Sequence, residues 1–139
     1  HRRTRAGRPR VLAVTVLTSM SVSAIIRGGP NTLGGERTMT NRVRQLAFDA
    51  QDAACDGVVA SPQDAADLRR VMAPGMLMAC PGIRPMGTFR DDQRRIATPA
   101  KALRDGADLL IVGRPITEAR DPRAAALRIV RDMEDVTRC

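Results

Sequence analysis

Three short segments carry residue types suited to gripping a polar, negatively charged small molecule. In DLLIVGRPIT (108–117) an apolar run ends at Gly113 and is followed at once by Arg114. A glycine there lets the backbone come close to a ligand, and its N–H can donate to an anion. The arginine adds a planar fork, always charged, that matches phosphate oxygens. Read alone, this Gly-Arg-Pro fits a turn glycine beside a surface arginine equally well. In CPGIRP (80–85) a second apolar run ends in two prolines and a glycine and delivers Arg84 into a long polar loop, 86–95, that also holds Gln93. Long loops inside compact domains are often binding loops, although DDQRR (91–95) also fits a solvated charge cluster. In VLTSM (16–20) two hydroxyls, Thr18 and Ser19, follow a third apolar run. They can bond the polar atoms of a ligand base, or cap the next segment.

Other chemistries lack the residues they need. His1 is the only histidine and Lys101 the only lysine. A Ser-His-Asp or Cys-His arrangement within this chain is therefore not expected. Cys55, Cys80 and Cys139 stand far apart, without metal-ligand spacing, and read as free thiols in a reducing cytoplasm. No metal site is expected. The net charge of +8 raises the question of nucleic acid, but Arg2, Arg3, Arg5, Arg8 and Arg10 concentrate it in the first ten residues. With 1% aromatic residues there is almost nothing to stack on bases, so no nucleic-acid partner is expected. The basic stretch ahead of VLAVTVL resembles a secretory leader. Its apolar part is short and β-branched, which fits a buried strand better. No run reaches the roughly 18 apolar residues that span a bilayer, so no membrane partner is expected.

The elements that position these residues alternate. Apolar runs at 11–17, 57–60, 76–80 and 109–112 mostly lack the two-residue alternation of a half-exposed strand, as befits strands covered on both faces. A helical pattern follows each. Over 40–54, Val43, Leu46, Ala47 and Ala50 share one face. Ser61-Pro62, Thr98-Pro99 and Asp121-Pro122 read as helix starts, each with a capping side chain ahead of a first-turn proline. Gly106 is placed for a left-handed C-terminal cap. In the last helix, Leu127, Val130 and Met133 form the expected apolar stripe. The order βαβαβαβα implies a parallel α/β sheet, doubly wound or a barrel segment, and four units make about half of an eight-fold barrel. Two neighbouring units ending in arginine fit the phosphate site that such barrels build after their last two strands.

VLAVTVLTSM, CDGVVASPQDA, PGIRP, DDQRRIATPAKAL and DLLIVGRPIT, in this order and spacing, resemble the bacterial orotidine 5′-phosphate decarboxylases, from about Gly7 to about Met133. The resemblance implies a TIM (β/α)8 barrel. This chain would supply its last four βα units, as the C-terminal part of a single domain that begins with a basic stretch, 1–9, and is truncated at its N-terminus. It further implies a cytoplasmic enzyme, homodimeric at full length, that converts orotidine 5′-monophosphate to UMP and CO2 without metal or organic cofactor. Carried over by position, Thr18 and Ser19 are pyrimidine contacts and Pro81 packs against the base. Arg84 and Gln93 are phosphate-loop ligands, and Gly113 and Arg114 are phosphate donors. The family's Asp-x-Lys-x-x-Asp motif is absent, so no catalytic residue is expected in this chain, which alone is expected to be inactive. Cys80 stands where the family pattern calls for a small hydroxyl residue. Two other readings remain, a non-catalytic half barrel that binds phosphate ligands and a related phosphosugar enzyme such as a hexulose-phosphate synthase. A half barrel exposes strand edges, and is expected to be poorly soluble or to pair with another half barrel.

Overall fold

The computed structural model describes residues 8–16, 35–85 and 96–137. Four parallel strands, β1 (Leu12–Val14), β2 (Gly57–Val59), β3 (Leu77–Cys80) and β4 (Leu109–Leu110), pair in sequential order. Helices α1 (Gly35–Asp52), α2 (Ala65–Val71), α3 (Pro99–Arg104), α4 (Arg114–Thr117) and α5 (Pro122–Thr137) alternate with them. The expected βα alternation holds. The ladders are shorter than the apolar runs of the sequence.

Register follows from the pairing of Ala13, Val58 and Met78 in one row and of Val14, Val59, Ala79 and Leu109 in another. Parallel partners point to the same side, so the sheet has two distinct faces. Toward the helices, Val58, Met78 and Cys80 are fully buried against Val43, Ala47 and Ala50 of α1, Leu68 of α2 and Ala102 of α3. With aromatics almost absent, small and flexible apolar side chains fill this core. Met72, Met76 and Met78 take up the irregular space. The opposite face carries Val14, Leu109 and Ile111, all about half exposed. Gly57 also lies on that face, where an added Cβ would come within 2.2 Å of the Leu77 carbonyl oxygen. Only glycine permits so close an approach of β2 to β3.

The N-terminal ends of the strands are tied by two similar aspartate clamps. Asp56, just ahead of β2, donates its N–H to Val11 O (2.8 Å) while its carboxylate accepts from Val11 N–H (2.8 Å) and from Arg8. Asp108, just ahead of β4, donates to Met78 O (2.9 Å) and accepts from Met78 N–H (2.7 Å) and from Arg69 (2.6 Å). Arg69 also donates to the carbonyls of Gly106 (3.1 Å from Nε) and Met76 (3.0 Å), fastening α2 beneath β3 and β4. Between the helices, Arg44 of α1 grips Asp67 of α2 with both arms of its guanidinium.

Helix ends show where local signals hold and where they fail. Thr98 caps α3 through Lys101 N–H (3.3 Å), and the Asp121 carboxylate accepts from Ala124 N–H (2.9 Å) at the start of α5. Gly106, at φ 106°, closes α3 with bonds from Gly106 N–H to Leu103 O and from Ala107 N–H to Ala102 O, a Schellman cap. The Ser61-Pro62 expectation is corrected. Those residues make a turn, with Asp64 N–H bonded to Ser61 O (2.9 Å), and α2 begins only at Ala65. The apolar stripe of α5 is corrected as well. Ala125 and Ile129 are its buried positions, whereas Leu127 and Val130 are 50% and 46% exposed. The helix packs against α3 and is turned so that Ala125 and Ile129 face inward. A third departure is Ala54, which ends α1 at φ 57° in the position glycine usually holds, with Cys55 N–H bonded back to Ala50 O (3.0 Å).

Two predictions follow from this architecture. A left-handed alanine is disfavoured by roughly 1–2 kcal/mol, partly offset by the greater freedom of glycine in the unfolded chain. Ala54→Gly is therefore expected to stabilise the fold by about 0.5–1 kcal/mol, read as a rise in urea midpoint with unchanged slope. Asp56 is held below the usual carboxylate range mainly by the Val11 N–H, and Asp67 mainly by the Arg44 hydrogen bond. A depressed pKa stabilises fully above the unfolded value of about 3.9 and is lost as pH falls through the folded value. Melting temperature should thus be flat from pH 7 to 5 and drop below about pH 4, less steeply in Asp56→Asn. Both groups meet solvent, so the effect is modest.

Candidate ligand-binding site

The C-terminal ends of β3 and β4 lie side by side, joined by the bond from Ile111 N–H to Cys80 O (2.9 Å). Each strand leads straight into one of the expected arginine segments. After β3 the chain runs through Pro81 and Gly82, the latter at φ 75°, a left-handed bend that glycine accepts readily. It then pairs again, Ile83 bridging to Ala97, with Arg84 N–H bonded to Ala97 O (2.9 Å) and Ala97 N–H to Gly82 O (3.2 Å). This bridge ties together the two feet of the segment 86–95. Arg84 is 7% exposed, and its Nη1 donates to Ile83 O (3.0 Å). Pro81 is half-buried beside it in sequence.

After β4, Gly113 opens α4 and accepts from Ile116 N–H (2.8 Å) and Thr117 N–H (3.2 Å). It is exposed, and a Cβ built on it meets no atom within 4 Å. Arg114 is half-buried as the first residue of α4. Four of the expected site residues, Pro81, Arg84, Gly113 and Arg114, therefore stand at one edge of the sheet, on adjoining strands. Thr18, Ser19 and Gln93 lie outside the described residues.

Sequence reasoning treated Ser61 only as a helix cap and passed over Asp64. Both are buried just beyond the C-terminal end of β2, at the same edge as the two arginines. The signal that could have found them was a polar pair directly after an apolar strand, which the neighbouring proline disguised as a helix start.

Two reactive side chains stand away from chemistry. Lys101 is exposed on α3 and paired with Asp105 one turn on, an ordinary surface contact. Cys80 is fully buried on the helix-facing side of β3, and burial pushes its thiol up to about 12. It is held as a thiol at neutral pH and serves the core. Among the described residues no group of three or more His, Cys, Asp or Glu is placed to hold a metal ion. No described helix is long and apolar enough to cross a membrane. Cys80 is expected to resist a thiol-specific disulfide reagent in native protein at pH 8 and to react at once in denaturant. Rapid native labelling of Cys80, mapped by mass spectrometry, would contradict its placement.

Comparison with known proteins bears on the family and the fold. The family model described as orotidine 5′-phosphate decarboxylase / HUMPS matches residues 1–129. A relative named orotidine 5′-phosphate decarboxylase from Moorella thermoacetica is 45% identical over 128 residues, covering 92% of this chain and 49% of its own length. One of the same name from Rhodopseudomonas palustris is 45% identical over 132 residues, covering 95% of this chain and 54% of its own. The chain thus spans about half the length of the curated relatives it matches. Among solved structures, an orotidine 5′-phosphate decarboxylase from Lactobacillus acidophilus superposes with a TM-score of 0.72 at 35% identity, over 92% of this chain and 51% of that one. An uncharacterised conserved protein from Geobacillus kaustophilus does so with a TM-score of 0.67 at 27% identity. The four-stranded parallel sheet accordingly corresponds to about half of a TIM barrel, as the alternation of elements led us to expect. The chain belongs to the orotidine 5′-phosphate decarboxylase / HUMPS family.

Proposed function

We propose that this chain is the phosphate- and base-gripping part of an orotidine 5′-phosphate decarboxylase, a carboxy-lyase that turns orotidine 5′-monophosphate into UMP and CO2. The observation that carries the reading is the juxtaposition of Arg84 and Gly113-Arg114 at the ends of paired strands, with open space above Gly113. In it, Arg114 and Arg84 neutralise the phosphate, Gly113 presents its N–H at close range, and Gln93 closes from the loop. Thr18 and Ser19 hydrogen-bond the pyrimidine, and Pro81 packs against it. Phosphate held so far from the reacting carbon supplies binding energy that positions the base for chemistry. The carboxylates and lysine of an Asp-x-Lys-x-x-Asp motif would have to come from sequence outside these 139 residues, since Lys101 sits on an outer helix. The chain is then the C-terminal part of one barrel domain in a cytoplasmic, homodimeric enzyme.

The missing lysine motif favours one second reading, a phosphate-ligand module without catalysis. Both predict that the chain alone binds UMP and releases no CO2 from orotidine 5′-monophosphate. Isothermal titration with UMP, uridine and ribose 5-phosphate tests the site. UMP should bind more tightly than either fragment, and Arg114→Ala should weaken UMP by roughly 10–100-fold, the worth of a charge-assisted phosphate contact. Equal affinity for uridine and UMP, or an Arg114→Ala variant of unchanged affinity, would sink the phosphate assignment. Preference for ribose 5-phosphate over UMP would move the chain to the phosphosugar side of its family.

A further inference from the structure

We infer that Asp64 is a positioning residue of this edge, a buried countercharge that holds the Arg84 guanidinium in place and acts on a bound phosphate through it. Its effect on ligand rests on the phosphate reading above, while the pairing of the two side chains can be tested with no ligand at all.

Asp64 and Arg84 stand apart from every other described charge. Among the described residues, Ser61, Asp64 and Arg84 are the only buried polar or charged side chains, the last two at 9% and 7% exposure. Aspartate and arginine are almost never buried unless paired, because a lone charge gives up its hydration and gains nothing in return. The described alternatives are engaged elsewhere. Asp56, Asp67, Asp105 and Asp108 hold Arg8, Arg44, Lys101 and Arg69 respectively. Helix capping does not account for Asp64 either. It occupies the residue ahead of α2, yet its side chain makes no cap bond there.

The strand order sets the two side by side. Asp64 N–H is bonded to Ser61 O (2.9 Å), which keeps Asp64 over the end of β2. Ala60 N–H bonds to Ala79 O (3.1 Å) and holds β2 against β3 up to that end. Arg84 rises from β3 after the bend at Gly82 and is folded back by its bond to Ile83 O (3.0 Å). The Asp64 charge reaches the end of β3. Burial is the main reason why the Cys80 thiol is pushed up, and the carboxylate adds to it.

β3 lies between β2 and β4, so Arg84 stands between the carboxylate and the Gly113-Arg114 pair. A phosphate held by that pair and Arg84 is then further from Asp64 than Arg84 is, by one strand spacing, roughly 5 Å. The attraction that fixes the guanidinium therefore exceeds the repulsion felt by the phosphate. An arginine fixed in advance also loses less rotamer freedom when its ligand arrives. Removing the carboxylate should thus weaken phosphate binding, although it removes a negative charge.

The experiment compares the 139-residue chain with Asp64→Asn, Arg84→Met and the double variant. Heteronuclear NMR of the arginine Nε–H groups, without ligand, reads the pairing. The Arg84 signal, identified by its loss in Arg84→Met, should be protected from exchange with water in the parent chain and unprotected in Asp64→Asn. Titration calorimetry with UMP and uridine reads the consequence. Asp64→Asn should lower the preference for UMP over uridine about tenfold, the lower end of what a charge-assisted contact is worth, and leave uridine affinity unchanged. In the Arg84→Met background the same change should have no effect on that preference. An Arg84 signal indifferent to Asp64→Asn overturns the inference. So does an equal loss of UMP and uridine affinity, the mark of a general structural role, and so does an effect that persists without Arg84. A parent chain that binds UMP no better than uridine sinks the phosphate reading instead, and the NMR comparison then still decides whether Asp64 holds Arg84. Should Asp64→Asn not fold, Asp64→Ser, a strong capping residue without charge, takes its place.

Discussion

The arrangement of this half barrel rests on an aspartate placed one residue ahead of β2 and another ahead of β4. A parallel ladder has no hairpin turn to set its register, so strands of two to four residues need some other stop. Each carboxylate takes the N–H of a residue in the preceding strand or just ahead of it, while the same aspartate's N–H returns a bond to that residue's carbonyl. Two strands cannot slip past one another without breaking both bonds. An arginine, Arg8 or Arg69, then neutralises the carboxylate and carries the constraint outward, in the second case to α2. The linkage between the two clamped pairs is backbone to backbone, with bonds from Leu77 N–H to Asp56 O and from Ala60 N–H to Ala79 O flanking the ladder, and there Gly57 allows the backbones to close up.

These clamps sit at the opposite end of the strands from the arginines of the candidate site. The separation lets the two ends obey different demands. At the clamped end both aspartate carboxylates are satisfied within the chain. At the other end Gly113 leaves space, and the buried polar residues Ser61, Asp64 and Arg84 collect. Parallel α/β proteins commonly divide stability and function in this way. The division explains why changes at the site need not threaten the fold.

The order of elements was legible in the sequence because unbroken apolar runs and helical periodicity are local properties. The Thr98 and Asp121 caps and the Gly106 cap were legible for the same reason. The failures have a common cause in tertiary context. Leu127 and Val130 look like a core stripe, yet the partner helix selects Ala125 and Ile129, and no local rule states which face a neighbour will take. Ser61-Pro62 has the composition of a helix start, but the turn after β2 delays α2 to Ala65. Ala54 in a glycine conformation is invisible to any composition rule. Of the site, the strand-end positions of Arg84, Gly113 and Arg114 could be read directly. The burial of Asp64 could not, since burial depends on residues distant in sequence.

The small bridge between Ile83 and Ala97 has a consequence for how the site can vary. It makes the excursion between those residues a closed loop whose entrance and exit share one point on the sheet. Insertions or deletions within it alter neither the path of α3 nor the start of β4, since both are reached from a fixed foot. The entropy of bringing its ends together is already met by the fold, so a longer or shorter excursion changes stability only slightly. The length and composition of the loop at this edge can therefore drift while the barrel half beneath it stays the same.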